Sequence, residues 1–247
     1  MGNGADEGAR AGRPYVLLSV AMSVDGYIDD TEPERLLLSN DADFDRVDGI
    51  RAWSDAILVG AETLRRDNPR LLVRDESRRA QRVAAGRPEY PRKVTVTASG
   101  ELDPQARFWR YGTAEHPPLV YTTDAGARRL RDRLTAPAQI VALGPELEFR
   151  PLLDDLGARG IRRLMVEGGG RIHTAFLSAG LADELLLAIG PTLVGDPAAP
   201  RFLHPARFPG GSTHRMRLVE VERLGDVAVL RYRPQEAPCP NPTTTTG

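Results

Sequence analysis

The chain has 247 residues and a formal net charge of −1, because 33 Lys and Arg nearly balance 34 Asp and Glu. This length allows one large domain or two small ones, and the balanced charge gives no general electrostatic reason to expect nucleic acid or an anionic membrane as a partner. One cysteine, Cys239, and four scattered histidines offer no ligand spacing, so no metal site is expected.

The two ends of the chain have the composition of tails. Residues 1–13 are rich in glycine and charge, and residues 235–247 are rich in proline and threonine, so both are predicted to be disordered around one domain over 14–234. The N-terminal segment lacks the apolar core of a signal peptide, and no stretch approaches the roughly 20 apolar residues of a membrane span. A soluble cytoplasmic protein is therefore expected.

The part between the tails is predicted to alternate strands and helices. The predicted strands are Tyr15–Val20, Ala56–Val59, Val94–Thr97, Leu119–Tyr121, Ile140–Leu143 and Leu164–Val166. The predicted helices are Asn40–Ala52, a short one from Ala61, Ala125–Leu134 and Leu152–Ala158. This alternation is typical of a mostly parallel sheet covered on both faces. Arg215–Glu222 and Val227–Tyr232 alternate around a Leu-Gly-Asp turn and predict an antiparallel hairpin that completes the sheet.

Two local expectations concern side chains of these helices. In the first helix, Ser39 or Asn40 is predicted to be the N-cap, and Phe44 and Val47 are predicted to face inward. The arginine-rich segment Asp75–Arg92 is predicted to cover one exposed helical turn rather than to link two domains.

The most informative segment is Arg162–Pro191. It predicts a short strand ended by Glu167, a run of three glycines, an amphipathic helix closed by Gly180 as a left-handed cap, and a further strand. The glycines leave the backbone unobstructed where free N–H groups and the helix dipole favour an anion, such as the pyrophosphate of a dinucleotide. A tight turn without a ligand has the same pattern, so both interpretations stay open here.

Polar residues also follow other predicted strands. Hydroxyls and a glycine after Val94–Thr97 would suit a second phosphate, such as the 2′-phosphate of NADP, although a simple turn explains them as well. Arg51 and Arg74 stand in apolar or turn contexts, and arginine is the side chain suited to bidentate phosphate binding.

Four segments together resemble one family. They are VAMSVDG (20–26), RAWSDAILVGAETLRRDNPRL (51–71), VTVTASG (94–100) and VEGGGRIHTAFLSAGLADELLLAIGPTLVG (166–195). In order and spacing they are similar to the C-terminal reductase domain of the bifunctional riboflavin-biosynthesis protein RibD, over about Tyr15 to Tyr232. The resemblance implies an α/β fold like that of dihydrofolate reductase, with a mostly parallel central sheet flanked by helices and a C-terminal antiparallel hairpin.

The resemblance also implies a function and a set of site residues. It implies a homodimeric, NADPH-dependent reductase that converts the ribosyl group of a phosphoribosylaminopyrimidine to a ribityl group. By position, NADPH would contact Ala21, Thr63, Asp67, Ser99, Gly168, Gly169, Gly170, Arg171, Ile172 and the residues up to Ala175. The substrate would contact Arg51, Leu71, Arg74 and Glu167, and the two arginines would clamp its 5-phosphate. Glu167 is the best-placed candidate for a catalytic acid, although a carboxylate favoured by the helix dipole explains it as well.

Three departures from the family pattern keep alternatives open. The chain has neither motif of the zinc deaminase half of fused bacterial members, so a stand-alone reductase is expected. Ser19 stands where those members typically carry lysine, which leaves the diaminopyrimidine and uracil forms of the substrate open. Glu34–Leu38 replaces the usual polar residue and tryptophan near substrate and nicotinamide. This change favours, as alternatives, a paralogue that reduces an imine or pterin-like compound, or a nucleotide-binding module without turnover.

Overall fold

The computed structural model describes residues 12–235 except 115 and 214. Apart from residues 12, 13 and 235, the predicted tails and Cys239 lie outside the described residues. Within the described part, none of the helices is both long and apolar enough to cross a membrane.

One sheet of nine strands organises the described residues. The strands are β1 Tyr15–Ser23, β2 Ala56–Gly60, β3 Arg92–Thr97, β4 Leu119–Thr122, β5 Gln139–Ala142, β6 Arg163–Gly168, β7 Glu184–Gly190, β8 Arg217–Leu224 and β9 Val227–Arg233. Their order is β5-β4-β3-β2-β6-β1-β7-β9-β8. Strands β1 to β7 pair in parallel, whereas β9 pairs antiparallel with both β7 and β8. The predicted fold class, a mostly parallel sheet with a C-terminal antiparallel hairpin, is confirmed.

Helices cover the sheet on both faces. They are α1 Asp41–Trp53, α2 Ala61–Asp67, α3 Glu76–Ala84, α4 Asp124–Arg133, α5 Phe149–Ala158 and α6 Gly170–Ser178, with 3-10 turns at Arg107–Trp109 and Gly211–Thr213. Successive side chains of β1 point to opposite faces of the sheet and so belong to two separate hydrophobic cores. Leu18 packs in a cluster with Phe176 of α6, and Leu17 packs in another with Leu64 of α2 and Leu130 of α4.

Local sequence signals place the ends of two helices correctly. The Asn40 side chain accepts a hydrogen bond of 3.1 Å from the backbone N–H of Asp43 and so caps α1. Gly180 has φ +63° just after α6, which is the left-handed conformation expected of it.

Three local expectations were wrong. Phe44 does not face the core, because it lies at the cleft described below and is 40% exposed. Strand β6 does not end at Glu167 but continues through Gly168. Arg82 of α3 is not on an exposed turn: it is buried and donates hydrogen bonds of 2.7 and 2.6 Å to the carbonyls of Ala52 and Ser54. These carbonyls lie at the C-terminal end of α1, where backbone acceptors lack intrahelical partners, so Arg82 is drawn inward to satisfy them.

Candidate active site

A cleft of about 1100 Å³ opens at the carboxyl ends of β1, β2, β3 and β6. This is where open parallel sheets bind ligands. The predicted site residues that line it are Ala21, Arg51, Thr63, Asp67, Leu71, Arg74, Ser99, Glu167, Gly169, Gly170, Arg171 and Ile172. Gly168 is buried behind the wall of the cleft, next to the ring of His173. The structure therefore gathers residues that are up to 151 positions apart in the chain (21 to 172) into one cavity.

The glycine run forms the closely packed part of this cleft. Gly169 is the N-cap of α6 and has no side chain, so it leaves the first N–H groups of the helix without a side-chain cap. A Cβ on Gly170 would lie 2.3 Å from the carbonyl oxygen of Arg201. A Cβ on Gly60, at the end of β2, would lie 2.9 Å from Cγ1 of Ile172. Glycine at these two positions thus lets β2, α6 and the Arg201 segment pack closely. Gly169 and Gly170 also line the cleft without a side chain, which suits the pyrophosphate of a dinucleotide.

Arg51 and Glu167 form a bidentate ion pair inside the cleft. Nε of Arg51 donates to Oε1 of Glu167 at 2.6 Å, and Nη2 donates to Oε2 at 2.7 Å. The side chains are 18% and 15% exposed. Burial alone disfavours the charged guanidinium, but the Glu167 carboxylate outweighs it and holds the pKa of Arg51 above its ordinary value. Both carboxylate oxygens of Glu167 are therefore occupied, which suits a positioning role better than proton donation.

A buried carboxylate shapes the loop that carries Arg74. Asp48 of α1 accepts hydrogen bonds from the backbone N–H of Arg74 at 2.6 Å and from that of Asp75 at 3.2 Å. Leu71, at the start of this loop, is buried in the left-handed conformation with φ +49°. The Arg74 side chain is exposed, and its guanidinium forms no hydrogen bond or ion pair with the described residues. The loop is thus fixed through its backbone while the guanidinium stays available to an anion.

Asp67 lies at the far end of α2 beside the Glu34–Leu38 segment. Burial raises the pKa of its carboxyl above the ordinary value, although Arg35, with Nη1 at 3.6 Å, opposes this shift. Thr63 lies one turn earlier on the same helix, and its Oγ1 would be 3.3 Å from a Cβ on Gly169. Of the two predicted cofactor contacts on α2, Thr63 thus lies next to the glycine run, and Asp67 lines the cleft near Arg35.

The structure adds two cleft residues that the sequence did not single out. His173 of α6 is fully buried, and neither ring nitrogen has a hydrogen-bond partner within the described ranges. Burial lowers its pKa to about 3. Arg46 of α1 is paired with Asp43, and its buried Nη1 finds no hydrogen-bond partner among the residues that the structure describes. In the sequence, His173 follows the glycines within an apolar helix. Its position among apolar residues predicts burial and is the signal that could have identified it.

Comparisons with known proteins identify the family of the chain. The family model described as the RibD C-terminal domain matches residues 14–230. A 2,5-diamino-6-ribosylamino-4(3H)-pyrimidinone 5′-phosphate reductase of Archaeoglobus fulgidus is 33% identical over 215 residues, which cover 87% of this chain and 95% of the relative. A protein of the same description from Aquifex aeolicus is 34% identical over 194 residues, covering 76% of this chain and 81% of the relative. A solved pyrimidine reductase-like protein of Corynebacterium diphtheriae has the same fold, with a TM-score of 0.76 at 24% identity over 91% of this chain and 93% of that one.

Proposed function

Because the chain belongs to the RibD C-terminal domain family, we propose that it is an NADPH-dependent reductase of a phosphorylated ribosylaminopyrimidine, which converts the ribosyl group to ribityl. The observation that carries the proposal is one cleft that is lined both by a glycine turn, suited to a dinucleotide, and by Arg74, whose guanidinium pairs with none of the described residues and suits a sugar phosphate. The diaminopyrimidine form is the proposed substrate, since relatives that align over most of their length are named for it.

The residues of the cleft fit NADPH. Gly169 and Gly170 at the start of α6 would hold its pyrophosphate, and Ser99 after β3 would lie near the 2′-phosphate. When bound, NADPH supplies a hydride. The protein's part is to orient the sugar carbon against the nicotinamide and to exclude water from the cleft, which is where most of the rate enhancement would arise.

The substrate would be held by groups with different charge. Arg74 is exposed at the cleft, carries a positive charge that no described residue neutralises, and would bind the phosphate. Arg51 is already paired with Glu167, so this pair is neutral overall and would orient polar groups of the substrate rather than attract a dianion. Binding of the substrate phosphate, which the sequence assigned to both arginines, is thus proposed to depend mainly on Arg74.

Steady-state NADPH oxidation tests the proposal, with the diaminopyrimidine and uracil forms of the substrate offered side by side. Turnover of the diaminopyrimidine form is expected. Arg74→Ala should raise the KM for the diaminopyrimidine form about ten- to a hundredfold, because a charge-assisted hydrogen bond is lost. The affinity for NADPH should stay unchanged. The matched control is Arg128→Ala, which removes an exposed arginine of α4 outside the cleft. NADPH binding without turnover of either form would refute this function and favour an imine or pterin-like substrate.

We further propose that the chain forms a homodimer through the end of the sheet. Leu187 of β7, Leu230 of β9 and Val221 of β8 are register partners in turn, so their side chains lie in one row on one face. Val221 is 62% exposed, and Leu218 farther along β8 is 49% exposed. Leu187 packs against the core, whereas Val221 at the β8 end of the row is exposed. An exposed apolar edge of this kind is typical of an interface, and a second copy would bury the same residues from both sides.

Light scattering on the purified chain tests the dimer. A mass of two chains is expected for the wild type, and Val221→Glu should shift it toward one chain. Glu222→Gln, the neighbouring position on the opposite face of β8, is the control and should leave the mass unchanged. A single-chain mass for the wild type at micromolar concentration would contradict the dimer but not the proposed activity.

A further inference from the structure

An arginine of α2 reaches the loop that follows β3 at the edge of the cleft. Arg65, in the last turn of α2, and Ser99, in the loop, both line the cleft and are both exposed. Nη1 of Arg65 donates a hydrogen bond of 3.1 Å to the carbonyl oxygen of Glu101. Oγ of Ser99 accepts one of 3.2 Å from the backbone N–H of the same residue. The guanidinium and the hydroxyl therefore both contact the backbone of Glu101 and lie close to each other.

The carboxylate of this loop does not neutralise Arg65. Oε1 of Glu101 lies 3.3 Å from Nη1 of Arg129 on α4, so this carboxylate already has a cationic partner. Arg65 forms no ion pair with any residue that the structure describes, and its exposed guanidinium is hydrated. A positive charge is therefore left at the edge of the cleft, where an arginine is suited to bind a phosphate.

The loop itself is held in place by contacts on the side of α4. Gly100 has φ +73°, and a Cβ on it would lie 2.5 Å from the carbonyl oxygen of Gly126. The Thr123 hydroxyl donates a hydrogen bond of 2.9 Å to the carbonyl oxygen of Ala98. The position of the Ser99 hydroxyl is thus set before any ligand arrives, so little ordering of the loop is needed on binding.

Arg65 is one of three arginines of the cleft that form no ion pair with the described residues, together with Arg74 and Arg201. The carbonyl oxygen of Arg201 packs against Gly170, so this residue lies at the glycine turn. The ligands of the proposed reaction carry phosphate at three places, namely the substrate, the pyrophosphate and the 2′-phosphate of NADPH. The other arginines of the cleft each form an ion pair with a carboxylate; they are Arg35, Arg46, Arg51, Arg66 and Arg171.

We propose that Arg65 selects the cofactor: its guanidinium binds the 2′-phosphate of NADPH together with the Ser99 hydroxyl. Arg74 is assigned to the substrate phosphate and Arg201 lies beside the glycine turn, which leaves Arg65 as the cation at the loop after β3. NADH has a hydroxyl in place of the 2′-phosphate and gives Arg65 no anion to bind. This inference rests on the proposed function and names the residue by which the cleft distinguishes the two cofactors.

Fluorescence titration with each cofactor, in the absence of substrate, tests the inference. Arg65→Ala should raise the Kd for NADPH about ten- to a hundredfold, because charge-assisted hydrogen bonds are lost, and should leave the Kd for NADH unchanged. Arg65→Lys keeps the charge but not the planar donor group, so the Kd for NADPH should rise less than in Arg65→Ala. Because salt screens an exposed charge, the preference of the wild type for NADPH should also shrink as ionic strength rises, and that of Arg65→Ala should shrink much less.

The matched control is Arg128→Ala, which removes an exposed arginine of α4 outside the cleft and should keep the wild-type ratio of the two Kd values. An unchanged ratio in Arg65→Ala would overturn the role of Arg65. An equal loss of affinity for NADPH and NADH would also overturn it, because that result indicates a structural role. A wild type that binds neither cofactor would overturn the proposed function and this inference with it, whereas a wild type that prefers NADPH, with the same preference in Arg65→Ala, overturns the inference alone.

Discussion

His173 should make the stability of the fold depend on pH in a predictable direction. The ring is fully buried in α6 beside Gly168 and tilts against Phe202, with ring centroids 5.5 Å apart. Neither nitrogen finds a partner among the described residues, so nothing offsets the cost of a buried charge. Burial lowers the pKa from 6.5 to about 3. The unfolded chain therefore binds a proton in this range that the folded protein does not, and stability is lost as pH falls below 6.5.

The size of this effect follows from proton linkage. A change in pKa from 6.5 to about 3 corresponds to at most about 5 kcal/mol over the whole range. Between pH 7 and pH 5 the folded ring stays neutral while the unfolded ring becomes protonated. Over that interval the free energy of unfolding should fall by about 2 kcal/mol from this residue alone.

Urea unfolding of the wild type and of His173→Leu at pH 7, 6 and 5 measures this contribution. Carboxylates titrate in both proteins, so the difference between the two free energies of unfolding isolates the imidazole. That difference should move by about 2 kcal/mol in favour of the variant as pH falls from 7 to 5. His116→Leu, which removes an exposed imidazole, is the control. A wild-type-to-variant difference that stays constant across these pH values would refute the assignment of a buried, unpartnered ring.

Further predictions concern other buried contacts. Arg82→Met should lower the free energy of unfolding by about 3 kcal/mol in urea titration, because it removes the buried guanidinium that donates to the carbonyls of Ala52, Ser54 and Pro88. Gly170→Ala should raise the Kd for NADPH at least about tenfold in fluorescence titration, since its Cβ would meet the Arg201 carbonyl oxygen at 2.3 Å, whereas Ser178→Ala at the other end of α6 should not. Burial lowers the pKa of Lys93 to about 7, so stability should increase from pH 7 toward pH 9 in urea unfolding, and Lys93→Met should abolish that increase.

Features that depend on neighbouring residues were predictable from the sequence. The glycine after α6, the Asn40 cap of α1 and the hairpin of β8 and β9 each follow from a few adjacent positions, and the structure confirms all three. The alternation of strand and helix also predicted a parallel sheet. It could not give the order of the strands, because β6 lies between β1 and β2 through contacts that join residues more than a hundred positions apart.

Features that depend on distant partners were not predictable in the same way. Arg51 and Glu167 were each identified as site residues, but the ion pair between them spans 116 positions and appears only when α1 packs beside β6. Arg82 is of a residue type usually found at the surface, and its burial depends on the carbonyls of Ala52, Ser54 and Pro88, which accept its hydrogen bonds. Phe44 fits the apolar face of a helix in the sequence. In the structure this part of α1 borders the cleft instead of the core, so the ring is 40% exposed.

The distribution of charge in the cleft follows from the cost of burying an ion. Arg46 and Arg51 have side chains that are 15% and 18% exposed, and each is paired with a carboxylate that compensates for lost hydration. Arg74 is exposed, so water hydrates its guanidinium and no carboxylate is needed to stabilise the charge when no ligand is bound. An unpaired positive charge is therefore tolerated at the mouth of the cleft but not in its interior. A phosphorylated substrate would accordingly enter with its pyrimidine and reacting carbon inward and its phosphate at Arg74, which sets the orientation before any reaction occurs.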